Sequence, residues 1–141
     1  MEKYRVRSAS GWTMLVFGVL AFLLGLLGLI RPELVLSILG FSVLDRTARA
    51  AGDYTLVFMI AASMASFNMG VYYILAAFTD LKQFFLWTVP FRIVTFTVFT
   101  ITALTGLAPM RFILVGAWEG LGAVITGLAL YFERPRTRRA G

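Results

Sequence analysis

One arginine, Arg92, stands inside an otherwise apolar stretch, TVPFRIVTFTVFTITALTG, residues 88–106. A guanidinium that faces lipid at the centre of a helix costs about 2.5–3.5 kcal/mol on insertion scales. The chain must therefore provide a partner, a water-filled cavity or a route to the interface. Another apolar stretch, residues 110–132, contains one carboxylate, Glu119. Apart from tyrosines, these are the only ionisable side chains deep in such stretches, so we expect Arg92 to face inward and Glu119 to neutralise it.

Polar and small residues recur at helical spacing in three apolar stretches, which predicts one buried stripe on each helix. The stripes are Thr88, Arg92, Thr95, Phe99 and Thr102; Ala61, Ala65, Asn68 and Tyr72; and Gly116, Glu119, Ala123 and Thr126. A rise of 1.5 Å per residue puts Arg92, Asn68 and Glu119 at depths of about 12, about 15 and about 20 Å from one membrane face. Unless the helices shift by about a turn, Asn68, Tyr72 or a water would bridge the two charges. The candidate site comprises Arg92, Glu119, Asn68, Tyr72 and Thr95.

Two interpretations of the charged pair remain open from the sequence. Ionisable groups inside a membrane are candidates for ligand or proton sites. A buried ion pair can equally fix the register of helices, because removal of one partner strands the other charge at a cost of about 3–5 kcal/mol. The threonine stripe is better explained by hydroxyls that bond to the backbone of their own helix than by an ion path.

Several kinds of chemistry are disfavoured by composition. The chain has no Cys and no His, so thiolate, imidazole and haem ligation are not expected, and we predict no cofactor and no metal. An enzyme acting on a lipid would use Glu119 as acid or base, but no second proton-transfer group is evident. The net charge of +6 is concentrated at the two termini, which indicates contact with lipid headgroups rather than nucleic acid.

The composition is that of a membrane protein, with 60% hydrophobic and 14% charged residues against about 25% charged in soluble domains. Four stretches can cross a bilayer, at about 11–30, 56–78, 84–107 and 110–132. We predict one all-α domain over residues 1–141, a polytopic four-transmembrane-helix bundle with up-down-up-down topology. Its long first loop, residues 31–55, contains the apolar segment LVLSILGFSVL, which is too short to span and is expected to cap the bundle on the extracytoplasmic side.

The distribution of basic residues predicts the orientation. Lys3, Arg5 and Arg7 precede the first stretch, and a second basic group follows the last one, made up of Arg134, Arg136, Arg138 and Arg139. The positive-inside rule therefore places both termini in the cytoplasm, with the protein in the plasma (inner) membrane. The first stretch is predicted to be a retained span, because its apolar run is longer than that of a signal peptide.

Two classes of function follow. The first stretch carries small residues at helical spacing, namely Gly18, Ala21, Gly25 and Gly28, which allow a neighbouring helix to approach closely. With no catalytic motif present, we expect a non-enzymatic accessory, assembly or scaffold subunit, associated with another membrane protein or with its own copies. The alternative is a protein that binds or transports a small lipophilic or amphipathic anion in the bundle core, beside Arg92.

The four-span pattern resembles small membrane proteins of the DoxX/BphX-like kind. The likeness is carried by ILGF and a later Asp in the long first loop, by FNMGVYYILAAF in the second span and by WEGLGAVITGLAL in the fourth. The resemblance implies a four-helix fold. It also implies one of several roles, since members include accessory subunits, assembly factors and binders of lipophilic ligands. No catalytic residue follows from it.

Overall fold

The computed structural model describes residues 5–133, and every regular element in that range is helical. The helices are α1 (Ala9–Ile30), α2 (Pro32–Ile38), α3 (Thr55–Thr79), α4 (Lys82–Leu104) and α5 (Ile113–Glu133), with short 3-10 turns at Arg46–Ala48 and Met110–Phe112. Lys3 and the four arginines of the C-terminal group, which contribute to the predicted orientation, lie outside the described residues.

Four of these helices, all except α2, are long and apolar enough to cross a membrane. The shortest, α5, has 21 residues, or about 32 Å at 1.5 Å per residue. An all-α protein with four candidate membrane spans is therefore confirmed. The helix α2 is formed by the apolar part of the long first loop.

Three helices end in the same way, with a left-handed residue just beyond the last turn. These residues are Gly40 after α2, Asp80 after α3 and Gly106 after α4. After α4, the Leu107 amide donates to the Thr102 carbonyl and the Gly106 amide donates to the Ala103 carbonyl. This is a Schellman motif. It ends α4 at Leu104, three residues before the predicted end of the third span at 107.

The helices α1 and α3 pack closely through small residues. At Gly70 of α3, an added Cβ would lie 2.5 Å from the Phe22 amide nitrogen and 2.7 Å from the Gly18 carbonyl oxygen. The Ser66 hydroxyl donates to the Ala21 carbonyl across the same interface, at 2.9 Å. The small-residue stripe of the first span is thus used inside the chain, against α3.

The helices α4 and α5 form the second close pair. Gly116 and Gly120 of α5 face Phe96 of α4, and a Cβ at Gly120 would lie 3.1 Å from the Phe96 ring. The tight turn between α3 and α4 predicts that these two helices are neighbours, yet they form no comparable interface. Instead, α3 packs against α1 and α4 packs against α5. Glycines in these two interfaces allow the helix backbones to approach closely.

The two pairs join mainly at one end of the bundle, which we call the terminal end and define by residues 8–13, 80–82 and 133. The core cluster there consists of Val6, Met14, Phe17, Tyr73, Ala76, Ala77 and Phe85. Beyond this cluster, Leu20 and Leu24 of α1 and Met69 of α3 are each 43% exposed. The buried packing between the pairs is therefore concentrated at the terminal end.

The opposite, or loop, end is defined by residues 31–54 and 105–112. Here Val35 and Leu36 of α2 are buried, and α2 packs against α1 and α3. The Phe41 ring lies 6.0 Å from that of Phe112 in the connection between α4 and α5. The first loop thus touches both helix pairs.

Gly70→Ala is predicted to lower the free energy of unfolding by about 1–3 kcal/mol, because the new methyl overpacks the contact between α1 and α3. The loss should occur although Ala is the better helix former. Chemical unfolding in mixed detergent micelles measures it. Gly52→Ala is the matched control, since a Cβ there meets no atom within 4 Å. Equal stability of the two variants would contradict the prediction.

The start of α3 is predicted to depend on pH. The Asp53 carboxylate accepts hydrogen bonds from the Thr55 hydroxyl and amide and lies 2.7 Å from the Arg49 guanidinium. These contacts with Thr55, and then Arg49, lower the pKa of Asp53 below its ordinary 3.8. A lowered carboxylate pKa means that the stabilisation is complete above the ordinary pKa and is lost as the pH falls through the lowered one.

Hydrogen exchange of residues 55–58, corrected for intrinsic rates, should therefore be constant from pH 7 to pH 5 and accelerate below about pH 4. Asp53→Asn should show fast exchange at all these pH values. A wild-type profile that stays flat down to pH 2.5 would contradict the assignment.

Candidate functional site

Arg92 lies on the inward face of α4, together with Phe85 and Thr88, and its side chain is 3% exposed. Space for it comes from Gly122 of α5. A Cβ at Gly122 would collide with Arg92 Nη1 and would lie 2.6 Å from Phe17 Cζ. The glycine therefore leaves space for both the guanidinium and the Phe17 ring.

Two aromatic rings flank the guanidinium. The Arg92 Cζ atom lies 4.1 Å from the centroid of the Phe17 ring and 5.0 Å from that of the Tyr73 ring. A desolvated cation over an aromatic face is stabilised by about 2 kcal/mol. Arg92 thus contacts α1 through Phe17 and α3 through Tyr73, although it belongs to the other helix pair.

Glu119 supplies the opposite charge. Its Oε2 atom lies 3.4 Å from Arg92 Nε, and its side chain is 26% exposed. Within the described residues, neither Nε nor Nη1 of Arg92 has a hydrogen-bond acceptor. The contact is therefore a charge pair that lacks bidentate hydrogen bonds, the geometry in which arginine–carboxylate pairs are strongest.

The other residues of the predicted site are not brought to this pair. Asn68 is partly exposed on α3, on a different face from Gly70 and Tyr73. Tyr72 is 55% exposed, and the tyrosine beside Arg92 is its neighbour, Tyr73. The Thr95 hydroxyl donates to the Phe91 carbonyl at 3.0 Å, which is the backbone bonding expected of the threonine stripe.

A second polar cluster, at the terminal end, was not anticipated from the sequence. The Ser10 amide and hydroxyl donate to the two carboxylate oxygens of Glu133, at 2.8 and 2.7 Å. Lys82 Nζ donates to Ser10 Oγ and to Glu133. Glu133 therefore binds the first turn of α1, where a negative charge is favoured by the free amides and the helix dipole.

Asp80 extends this cluster. It is the only non-glycine residue with positive φ in the described chain, at 50°. Its carboxylate accepts a hydrogen bond from the Ser8 hydroxyl and lies 3.3 Å from Lys82 Nζ. Ser8 also caps α1 by accepting from the Gly11 amide. In the sequence, these polar residues lie just outside the predicted spans. Polar side chains at such positions are ordinarily expected to be solvated, so the sequence offered no other sign of the cluster.

The chemistry available to these groups is mainly electrostatic. Across residues 5–133, no group of three side chains of the metal-binding types comes together. Arg92, Glu119 and the two flanking rings connect all four long helices. The terminal cluster connects the start of α1 and the end of α5 to the turn between α3 and α4. Both arrangements suit the fixing of helix positions.

The charge pair is predicted to be coupled in a double-mutant cycle. Arg92→Leu should lower the free energy of unfolding by about 3 kcal/mol, the lower end of the range for broken buried pairs, because Glu119 is partly exposed. Glu119→Leu should lower it further, by up to about 5 kcal/mol, since it strands the more deeply buried guanidinium. The double variant should be more stable than the sum of the single changes predicts. Arg7→Gln, an exposed basic position, serves as control, and strict additivity would show that the pair is not coupled.

No protein-family model, no curated protein and no solved structure matches the chain.

Proposed function

We propose that this chain is a non-enzymatic integral membrane protein that serves as an accessory, assembly or scaffold subunit. It associates with a transmembrane helix of a partner through the outer face of α3. The pair formed by Arg92 and Glu119 then has an internal task, which is to hold α1, α3 and α5 around α4.

The observation that carries this proposal is a stripe of small and polar residues that the bundle leaves uncovered. Ala61, Ala65 and Tyr72 are exposed on α3, and Asn68 between them is partly exposed. Their spacing of 4, 3 and 4 places them on one face. An amide that faces lipid is unfavourable, and transmembrane helices bury such stripes against other helices.

Within residues 5–133, no helix covers this stripe. The inward face of α3 carries Ser63, Gly70, Tyr73 and Ala77, and it is already packed against α1. A partner helix would hydrogen-bond the Asn68 amide within the membrane. Small side chains at Ala61 and Ala65 would allow that helix to approach closely.

The proposed topology is up-down-up-down. The protein lies in the plasma (inner) membrane, and both termini are in the cytoplasm. It is supported by the contacts of Ser10 with Glu133 and of Ser8 with Asp80, which join the start of α1, the end of α5 and the turn after α3 at one end. The first loop then lies on the extracytoplasmic side. The resemblance to the DoxX/BphX-like proteins stays a prediction.

A second candidate function is the binding of a small lipophilic or amphipathic anion at Arg92. It is favoured by the two guanidinium nitrogens that have no acceptor among the described residues. The close packing of Phe17, Tyr73 and Gly122 around the guanidinium leaves little room for a ligand, so we rank this function second.

Asn68→Leu is predicted to weaken the association of the protein with its partner. An interhelical hydrogen bond in a membrane contributes about 0.6–2 kcal/mol, which corresponds to a loss of about threefold to thirtyfold in affinity. The protein is isolated from its own membranes in a mild detergent, and mass spectrometry gives the subunits and their stoichiometry. Titrated energy transfer between labelled chains in vesicles then gives the affinity.

Thr97→Leu is the matched control, because Thr97 is an exposed hydroxyl of α4 that bonds to its own backbone. A complex weakened by the change at Asn68 and unaffected by the change at Thr97 supports the proposal, whether the partner is a second protein or a second copy. A monomer with no associated chain at native abundance overturns it.

A further inference from the structure

An open cavity of about 790 Å³ lies at the loop end, outside the charged pair and the terminal cluster. One wall is the junction of α1 and α2, and the other is the segment of residues 43–46. The Arg46 side chain donates to the Glu33 carboxylate at 2.6 Å and joins the two walls. One ion pair therefore ties the two walls of the cavity together.

Two further charged groups line this cavity, one of each sign. They are Arg31 and Asp45, both exposed. Neither forms an ion pair with another side chain of residues 5–133. Since Glu33 and Arg46 already neutralise each other, the charges left to meet a ligand are one guanidinium and one carboxylate.

The rest of the lining is apolar. Ile30, Leu34, Val43 and Leu44 contribute large exposed side chains. Ile30 is the last residue of a membrane-spanning helix, so this end of the cavity lies where headgroups give way to acyl chains. A matching ligand has a headgroup with one anionic and one cationic group, joined to a hydrophobic tail.

We propose that this cavity binds the headgroup of a zwitterionic phospholipid with a primary ammonium, the chemistry of phosphatidylethanolamine. The lipid phosphate accepts hydrogen bonds from the Arg31 guanidinium, for which planar two-pronged contacts are available. The ammonium donates to the Asp45 carboxylate. The acyl chains lie against Ile30 and Leu34. This site is independent of the partner proposed for α3.

The ligand's chemistry sets a preference order. Phosphatidylcholine has the same charges, but its quaternary ammonium has no N–H to donate to Asp45. Phosphatidylglycerol has the phosphate and no cation, so the Asp45 carboxylate repels it. Binding should therefore decrease from phosphatidylethanolamine to phosphatidylcholine and then to phosphatidylglycerol.

The test measures lipid binding to the full chain in detergent by native mass spectrometry, with the three lipids competing at equal concentration. Phosphatidylethanolamine should be retained about tenfold more than phosphatidylglycerol, the value of one charge-assisted hydrogen bond. Asp45→Asn should remove the preference for the ethanolamine lipid over the choline lipid and raise retention of the glycerol lipid. Arg31→Gln should reduce retention of all three.

Arg7→Gln is the matched control, because it removes an exposed guanidinium from the opposite end of the bundle. Equal retention of the ethanolamine and choline lipids by the wild-type protein overturns the proposal, as does an Asp45→Asn variant with unchanged preference. Competition with soluble phosphoethanolamine tests whether the ligand is a lipid headgroup or a free small molecule. If it displaces the lipid at matched concentration, the cavity binds a free zwitterion, and the assignment to a lipid is wrong.

Discussion

The structure depends on keeping one guanidinium charged inside an apolar bundle. Arg92 is nearly inaccessible, and its charge is balanced by Glu119 and by the faces of the Phe17 and Tyr73 rings. Each of these neighbours comes from a different helix. Because a buried charge without compensation is unfavourable by several kcal/mol, α1, α3 and α5 are all constrained to approach α4 at this depth. Gly122 provides the space in which that can happen.

Around this point the fold is an assembly of two helix pairs rather than a uniform bundle. Glycines bring α1 against α3 and α4 against α5, and hydrophobic packing between the pairs is concentrated near the terminal end. Ser10, Lys82 and Glu133 reinforce that end with hydrogen bonds and charge. The loop end is held differently, by α2 and by the contact of Phe41 with Phe112, and it contains the open cavity beside Arg31 and Asp45.

The division of polar residues between inside and outside bears on function. The small-residue stripe of α1 is satisfied within the chain, so it offers nothing to a partner. The stripe of α3 that contains Asn68 remains on the outer surface. The stripe of α1 is thus buried and the stripe of α3 is exposed, although the two look alike in the sequence. The exposed stripe of α3 is the better indication of how the protein associates.

Composition and hydropathy determined the membrane class, the all-α architecture and the four candidate spans, because the length and apolarity of a spanning helix are local properties of the chain. Sequence also singled out Arg92 and Glu119, since a charge in an apolar run stands out wherever its partner lies. It could not choose between Tyr72 and Tyr73, which differ by one residue and about 100° around the helix. That choice, the partner of each glycine stripe and the contacts of Glu133 were decided only by tertiary packing, because helix rotation is a property of the assembled bundle.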